Sequence, residues 1–204
     1  MKHYFTRFEE AVKNNWERPA LANFRGESFT FGEFATQIAR FHVFFEAIGL
    51  KKGDKVALCA KNSARWGVTF FAANTYEAVL VPILADFHPD SVNSLVDHSE
   101  SKILLTDSDI WTKLDITKMP SVQAVISSSD FSLLYAADEA ISQANEKLQE
   151  IMPEIDDLLK RHFRPEFLNR IDEIVTFGRL EKDAIYGIVK NQLYFLKLVF
   201  RCQK

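Results

Sequence analysis

Apolar residues recur at three- and four-residue intervals near the start of the chain. Phe5, Phe8, Val12 and Trp16 share one face, which predicts a helix over Tyr4 to Asn15 that stops before Pro19. The pattern then shortens. Ala20 to Phe24 and Ser28 to Phe31, separated by Arg25-Gly26-Glu27, read as a β-hairpin around a glycine turn. Thr30 and Glu33 have capping-box spacing and open a helix whose Phe34, Ile38, Phe41, Phe45 and Ile48 lie on one side. Gly49 suits the left-handed position that ends it.

Beyond Gly53-Asp54 the pattern alternates between solid apolar runs and amphipathic stretches. Lys55 to Ala60, Val79 to Leu84 and Lys102 to Thr106 read as buried strands, and Val122 to Ile126 as a weaker fourth. Between them, Ser63 caps a helix through Trp66, Phe70, Phe71, Asn74 and Tyr76. Pro89-Asp90 starts another through Val92, Leu95 and Val96. Strands apolar on both sides and joined by helices imply right-handed crossovers and a parallel sheet covered on both faces. The expected class is α/β: a partial parallel sheet with helices on both faces, followed by a mostly helical C-terminal segment.

Composition narrows the function classes. The 204 residues include 18 phenylalanines, so much of the core is aromatic, while glycine and proline total only 13, too few for a linker array. The net charge of −3 gives no general electrostatic case for nucleic acid. Residues 1–150 carry 15 basic and 20 acidic side chains, and residues 151–204 carry 10 and 8. This shift places a junction between Gln143 and Pro153, with Pro153 the expected break. Two cysteines, Cys59 and Cys202, make no disulfide framework. MKHYFTRFEE lacks the apolar stretch of a secretory signal, and no run approaches a membrane span, so a cytoplasmic location is expected.

Two family resemblances follow from longer runs. Gly53-Asp54-Lys55-Val56-Ala57, Asn62-Ser63, the apolar helix from Val68 to Asn74, and Val79-Leu80-Val81-Pro82 keep the order and spacing of adenylate-forming enzymes. Long-chain fatty acyl-CoA ligases are the subgroup this stretch, from about residue 5 to about residue 145, most resembles. The resemblance implies the N-terminal portion of that fold and a parent chemistry using ATP and Mg. It also implies a Ser/Thr/Gly-rich phosphate loop, downstream nucleotide motifs and a catalytic lysine. The sequence offers only Ser127-Ser128-Ser129, without glycine and followed by Asp130, a poor neighbour for phosphate.

Phe163-Arg164-Pro165-Glu166-Phe167-Leu168-Asn169-Arg170-Ile171-Asp172-Glu173-Ile174-Val175 resembles the arginine-finger region of Clp-type AAA+ chaperones, with the start of the small helical lid after it, over about residues 154–200. The resemblance gives Arg170 the finger role, in trans only, because no Walker A or Walker B sequence accompanies it. A salt bridge to Asp172 or Glu166 is the plainer role for the same side chain.

The sequence therefore reads as residues 1–148, a truncated AMP-binding ligase region, joined to residues 149–204, a Clp-type fragment. His42, His88 and His98 lack metal-ligand spacing and are read as structural; Cys59 is read as an inert core thiol. No cofactor is expected on this chain alone, nor any metal, and catalytic silence follows. The competing reading is a non-enzymatic module that docks on a Clp-type ring or another ligase chain. Unpaired sheet edges add an expectation of self-association.

Overall fold

The structure, a computed structural model, describes residues 4–163. The chain divides into two compact units, Met1–Pro165 and Glu166–Lys204, and all described residues belong to the first. Helix α1 (Tyr4–Asn14) leads into a hairpin of β1 (Pro19–Ala22) and β2 (Ser28–Thr30), then α2 (Phe31–Ala47). Alternation follows: β3 (Lys55–Cys59), α3 (Ala64–Thr75), β4 (Val79–Ile83), α4 (Pro89–His98) and β5 (Ile103–Thr106). Short α5 (Ser108–Trp111) and a 3-10 turn at Ile116–Lys118 lead to β6 (Ala124–Ser127), β7 (Leu133–Ala136) and α6 (Glu139–Phe163).

The main sheet has the order β4-β3-β5-β6-β7. Its first four strands are parallel, with Val56 opposite both Leu80 and Ile103. Strand alternation sorts the core into two layers. Val56, Leu58, Ile103, Leu105, Ala124 and Ile126 join the aromatic side, with Phe34, Phe41, Phe44 and Phe45 of α2 and Val68 of α3. Ala57, Cys59, Leu104 and Val125 face the other way, onto Val92 and Val96 of α4 and onto Met119. Both faces are thus covered, as the solid apolar strands require.

The aromatic layer is built from ring edges. Phe41 meets Phe131 edge-on at 4.8 Å, and Phe34 meets Phe71 at 5.1 Å. The capping box at Thr30 and Glu33 forms in full, with bonds of 3.1 and 2.8 Å. Directly beyond it, Gly32 lets the backbone approach Trp16: a Cβ there would lie 2.4 Å from the indole.

Three helices end the same way. Leu50, Ala78 and Ser101 each donate a backbone N–H to the carbonyl five residues earlier, at 2.8, 2.9 and 3.3 Å. The residue before each is left-handed: Gly49 (φ 72°), Glu77 (φ 63°) and Glu100 (φ 53°). Only the first end has the glycine that marks this geometry in a sequence. At the other two, glutamates accept the strain of a Cβ in that region.

Three features depart from the sequence expectation. In the hairpin loop the left-handed residue is Arg25 (φ 54°), not Gly26. Strand β7, antiparallel to β6, carries no turn signal in the sequence, because its turn uses a left-handed Phe131 (φ 60°) rather than glycine or proline. Pro153 does not break the chain. It lies exposed inside α6, where water can take the hydrogen bond its ring deletes.

His42 sits on the buried side of α2, with Nε2 at 2.9 Å from Thr75 Oγ1 and 3.2 Å from the Ala72 carbonyl. Burial lowers its pKa, and the Ala72 carbonyl only partly offsets this.

Gly32→Ala should lower stability by about 1–3 kcal/mol through the Trp16 collision. Glu100→Gly should raise it by roughly 0.5–1 kcal/mol by relieving the left-handed Cβ, since the exposed pair with Lys55 that it removes is worth little. Urea unfolding checks both, and opposite signs to these would overturn the assignments. The unfolded chain protonates His42 more readily than the folded one, so stability falls as pH drops through the ordinary value of 6.5 toward the lower folded one. Urea midpoints at about pH 7.5 and 5.5 should fall in the parent and fall less in His42→Gln; equal drops would remove His42 as the cause.

Candidate functional site

In an open α/β sheet ligands settle outside the C-terminal ends of the strands, where neighbouring crossovers run in opposite directions. The chain runs from β3 outward to β4, then returns past β3 to β5. The crevice between the ends of β3 and β5 is therefore the first place to look for a site.

That crevice is stitched together by the chain itself. Asp107, directly after β5, accepts the Lys61 backbone N–H through Oδ2 at 3.1 Å and the Ser128 hydroxyl through Oδ1. Below it Thr106 Oγ1 donates to the Cys59 carbonyl at 2.8 Å, and the Ser128 N–H donates to the Thr106 carbonyl at 2.9 Å. A carboxylate thus occupies the switch point. A phosphate brought to about 4 Å from it would meet a repulsion of about 4 kcal/mol at an effective dielectric near 20.

The neighbouring helix ends are occupied as well. At α3 the Ala64 N–H goes to Asn23 Oδ1 at 2.7 Å and the Trp66 N–H to Ser63 Oγ at 3.1 Å. At α4, Pro89 brings no N–H, and the Asp90 N–H faces His88 Nδ1 at 3.4 Å. These N–H groups would otherwise be an anion's natural partners.

The serine run lies at the end of β6. Ser127 Oγ is 2.8 Å from Ser129 Oγ, and Ser128 is committed to Asp107. Asp130 accepts the backbone N–H of Ser132 at 3.0 Å and its hydroxyl at 2.7 Å. Those bonds, with one from the Ser127 hydroxyl, hold the Asp130 carboxyl below its ordinary pKa. The hydroxyls thus bond one another and two carboxylates.

Arg65 ties this edge to the hairpin. Its guanidinium grips Glu27 with two nitrogens, Nε at 2.9 Å, while lying 4.8 Å from the Phe131 ring and 5.6 Å from that of Phe29. Arg40 Nη2 donates to the Phe131 carbonyl at 3.4 Å. Burial, together with the like charge of Arg65, lowers the Arg40 pKa.

Beside the crevice, at the ends of β3 and β4, lies a cleft of about 420 Å³. Its walls are Lys61, Asn62 and Trp66 on one side and Pro82 to Asp86 on the other.

The sequence candidates fall in different places. Arg170 and Cys202 lie outside the described residues. Cys59 is fully buried in β3, and burial, aided by the Asp107 charge, pushes its thiol up to about 11. Among the described residues no three His, Cys, Asp or Glu side chains stand close enough to hold a metal ion. Sequence reasoning missed Asp107 and the Arg65–Glu27 clamp. Asp107 stands at a strand end before a short helix, but its side chain makes no capping bond there, and its role appears only once β3 and β5 are seen side by side.

Comparison with known proteins bears on this edge. The sequence profile described as AMP-binding enzyme matches residues 8–168. The chain is similar in structure to coronafacic acid ligase from Pectobacterium brasiliense, with a TM-score of 0.56, 19% identity, and coverage of 60% of this chain and 25% of that one. It is likewise similar to the N-terminal domain of FACL13 from Mycobacterium tuberculosis, with a TM-score of 0.54, 20% identity, and coverage of 68% and 39%. At these identities the likeness concerns the fold, that of the N-terminal part of adenylate-forming enzymes. In sequence it is 30% identical over 129 residues to the chaperone protein ClpB of Rickettsia conorii, covering 63% of this chain and 14% of that protein. A shorter stretch of 35 residues is 63% identical to ClpB of Mycoplasma genitalium, covering 17% of this chain and 5% of that protein. The chain thus spans about one-seventh of the first of these relatives. The breadth of the profile match, most of the residues described here, makes this chain a member of the AMP-binding enzyme family.

Proposed function

We propose that this chain carries the N-terminal scaffold of an adenylate-forming acid–thiol ligase, of the long-chain fatty acyl type, and does not itself activate a carboxylate. The observation that carries the reading is the closed switch point. Asp107 fills it, and the Ala64 and Trp66 N–H groups of α3, the Asp90 N–H of α4 and the hydroxyls of Ser127, Ser128 and Ser129 are engaged within the chain. Adenylation draws most of its acceleration from donors aimed at the transferring phosphoryl group. With those donors engaged elsewhere, the scaffold supplies shape and not chemistry. ATP and Mg then belong to the parent reaction and to parts of the machinery other than these residues.

A second reading rests on the ClpB likeness. Arg170 would serve in trans as an arginine finger toward a Clp-type ring, and residues 149–204 would be the docking segment. Strand pairing between copies offers a third route to partners, and β7, which has a single strand neighbour among the described residues, is its natural edge. The cytoplasm suits both readings.

Purified chain mixed with ATP, Mg and fatty acids of several lengths should release no carboxylate-dependent pyrophosphate above buffer. Its melting temperature should stay unmoved by ATP or AMP. Carboxylate-dependent pyrophosphate release would overturn the first reading. Retention of a Clp-type ATPase on the immobilised chain, lost on Arg170→Ala, would favour the second.

A further inference from the structure

We draw no further inference here: the strongest candidate, the exposed apolar corner that Leu84 and Phe87 form beside the cleft at the end of β4, carries nothing, since nothing in the structure shows what covers it.

Discussion

The carboxylate of Asp107 sets what the C-terminal edge of the sheet can do. It stands where the crossovers diverge, fixed by the Lys61 backbone and the Ser128 hydroxyl. A charged acceptor with two donors is well satisfied and costly to displace. It also organises its neighbours: Ser128 is drawn off from any role in phosphate binding, and the β3–α3 loop is anchored at Lys61. Removing the carboxylate would therefore not create a phosphate site. It would leave a backbone donor and a hydroxyl without their acceptor in a half-buried crevice.

Around that point the fold is held by rings and one guanidinium. Arg65 joins three parts distant in sequence: the hairpin through Glu27 and Phe29, its own helix α3, and the turn after β6 through Phe131. Arg40 reaches the same turn from α2. The left-handed Phe131 is the residue both cations hold, and its ring seats on Phe41. A strained conformation persists where its surroundings over-determine it, and here a cation contact, an edge-on ring and a carbonyl bond converge on one residue.

The legibility of the fold follows from where its information resides. The parallel strands were readable because burial on both faces leaves them apolar throughout, as in Lys55 to Ala60 and Lys102 to Thr106. The caps at Thr30 and Ser63 were readable because a short side chain before an apolar helix has few other uses. β7 was not, since its turn rests on tertiary contacts of Phe131 and not on a turn residue. Asp107 was not, since its role depends on strand order, and the spatial adjacency of β3 and β5 is invisible to local pattern. The left-handed glutamates at 77 and 100 hid for the same reason: packing on either side imposes the geometry, and the sequence shows only an unremarkable polar residue.

The two likenesses impose different constraints on the same chain. The AMP-binding match continues to residue 168, and α6 runs unbroken from Glu139 to Phe163 across the place where the charge pattern led one to expect a junction. A helix that spans a junction transmits whatever packs on its first half to its second. The first half is anchored, since α6 packs on α2 and buries Ile141 and Leu148 in the aromatic layer. Along α6 the charge balance hardly changes, with three acids and one base in residues 139–150 against three acids and two bases in residues 151–163, and the backbone stays helical throughout. A helix anchored along its first half needs only 3.6-residue periodicity to continue, and so no linker is required where α6 leaves the aromatic layer.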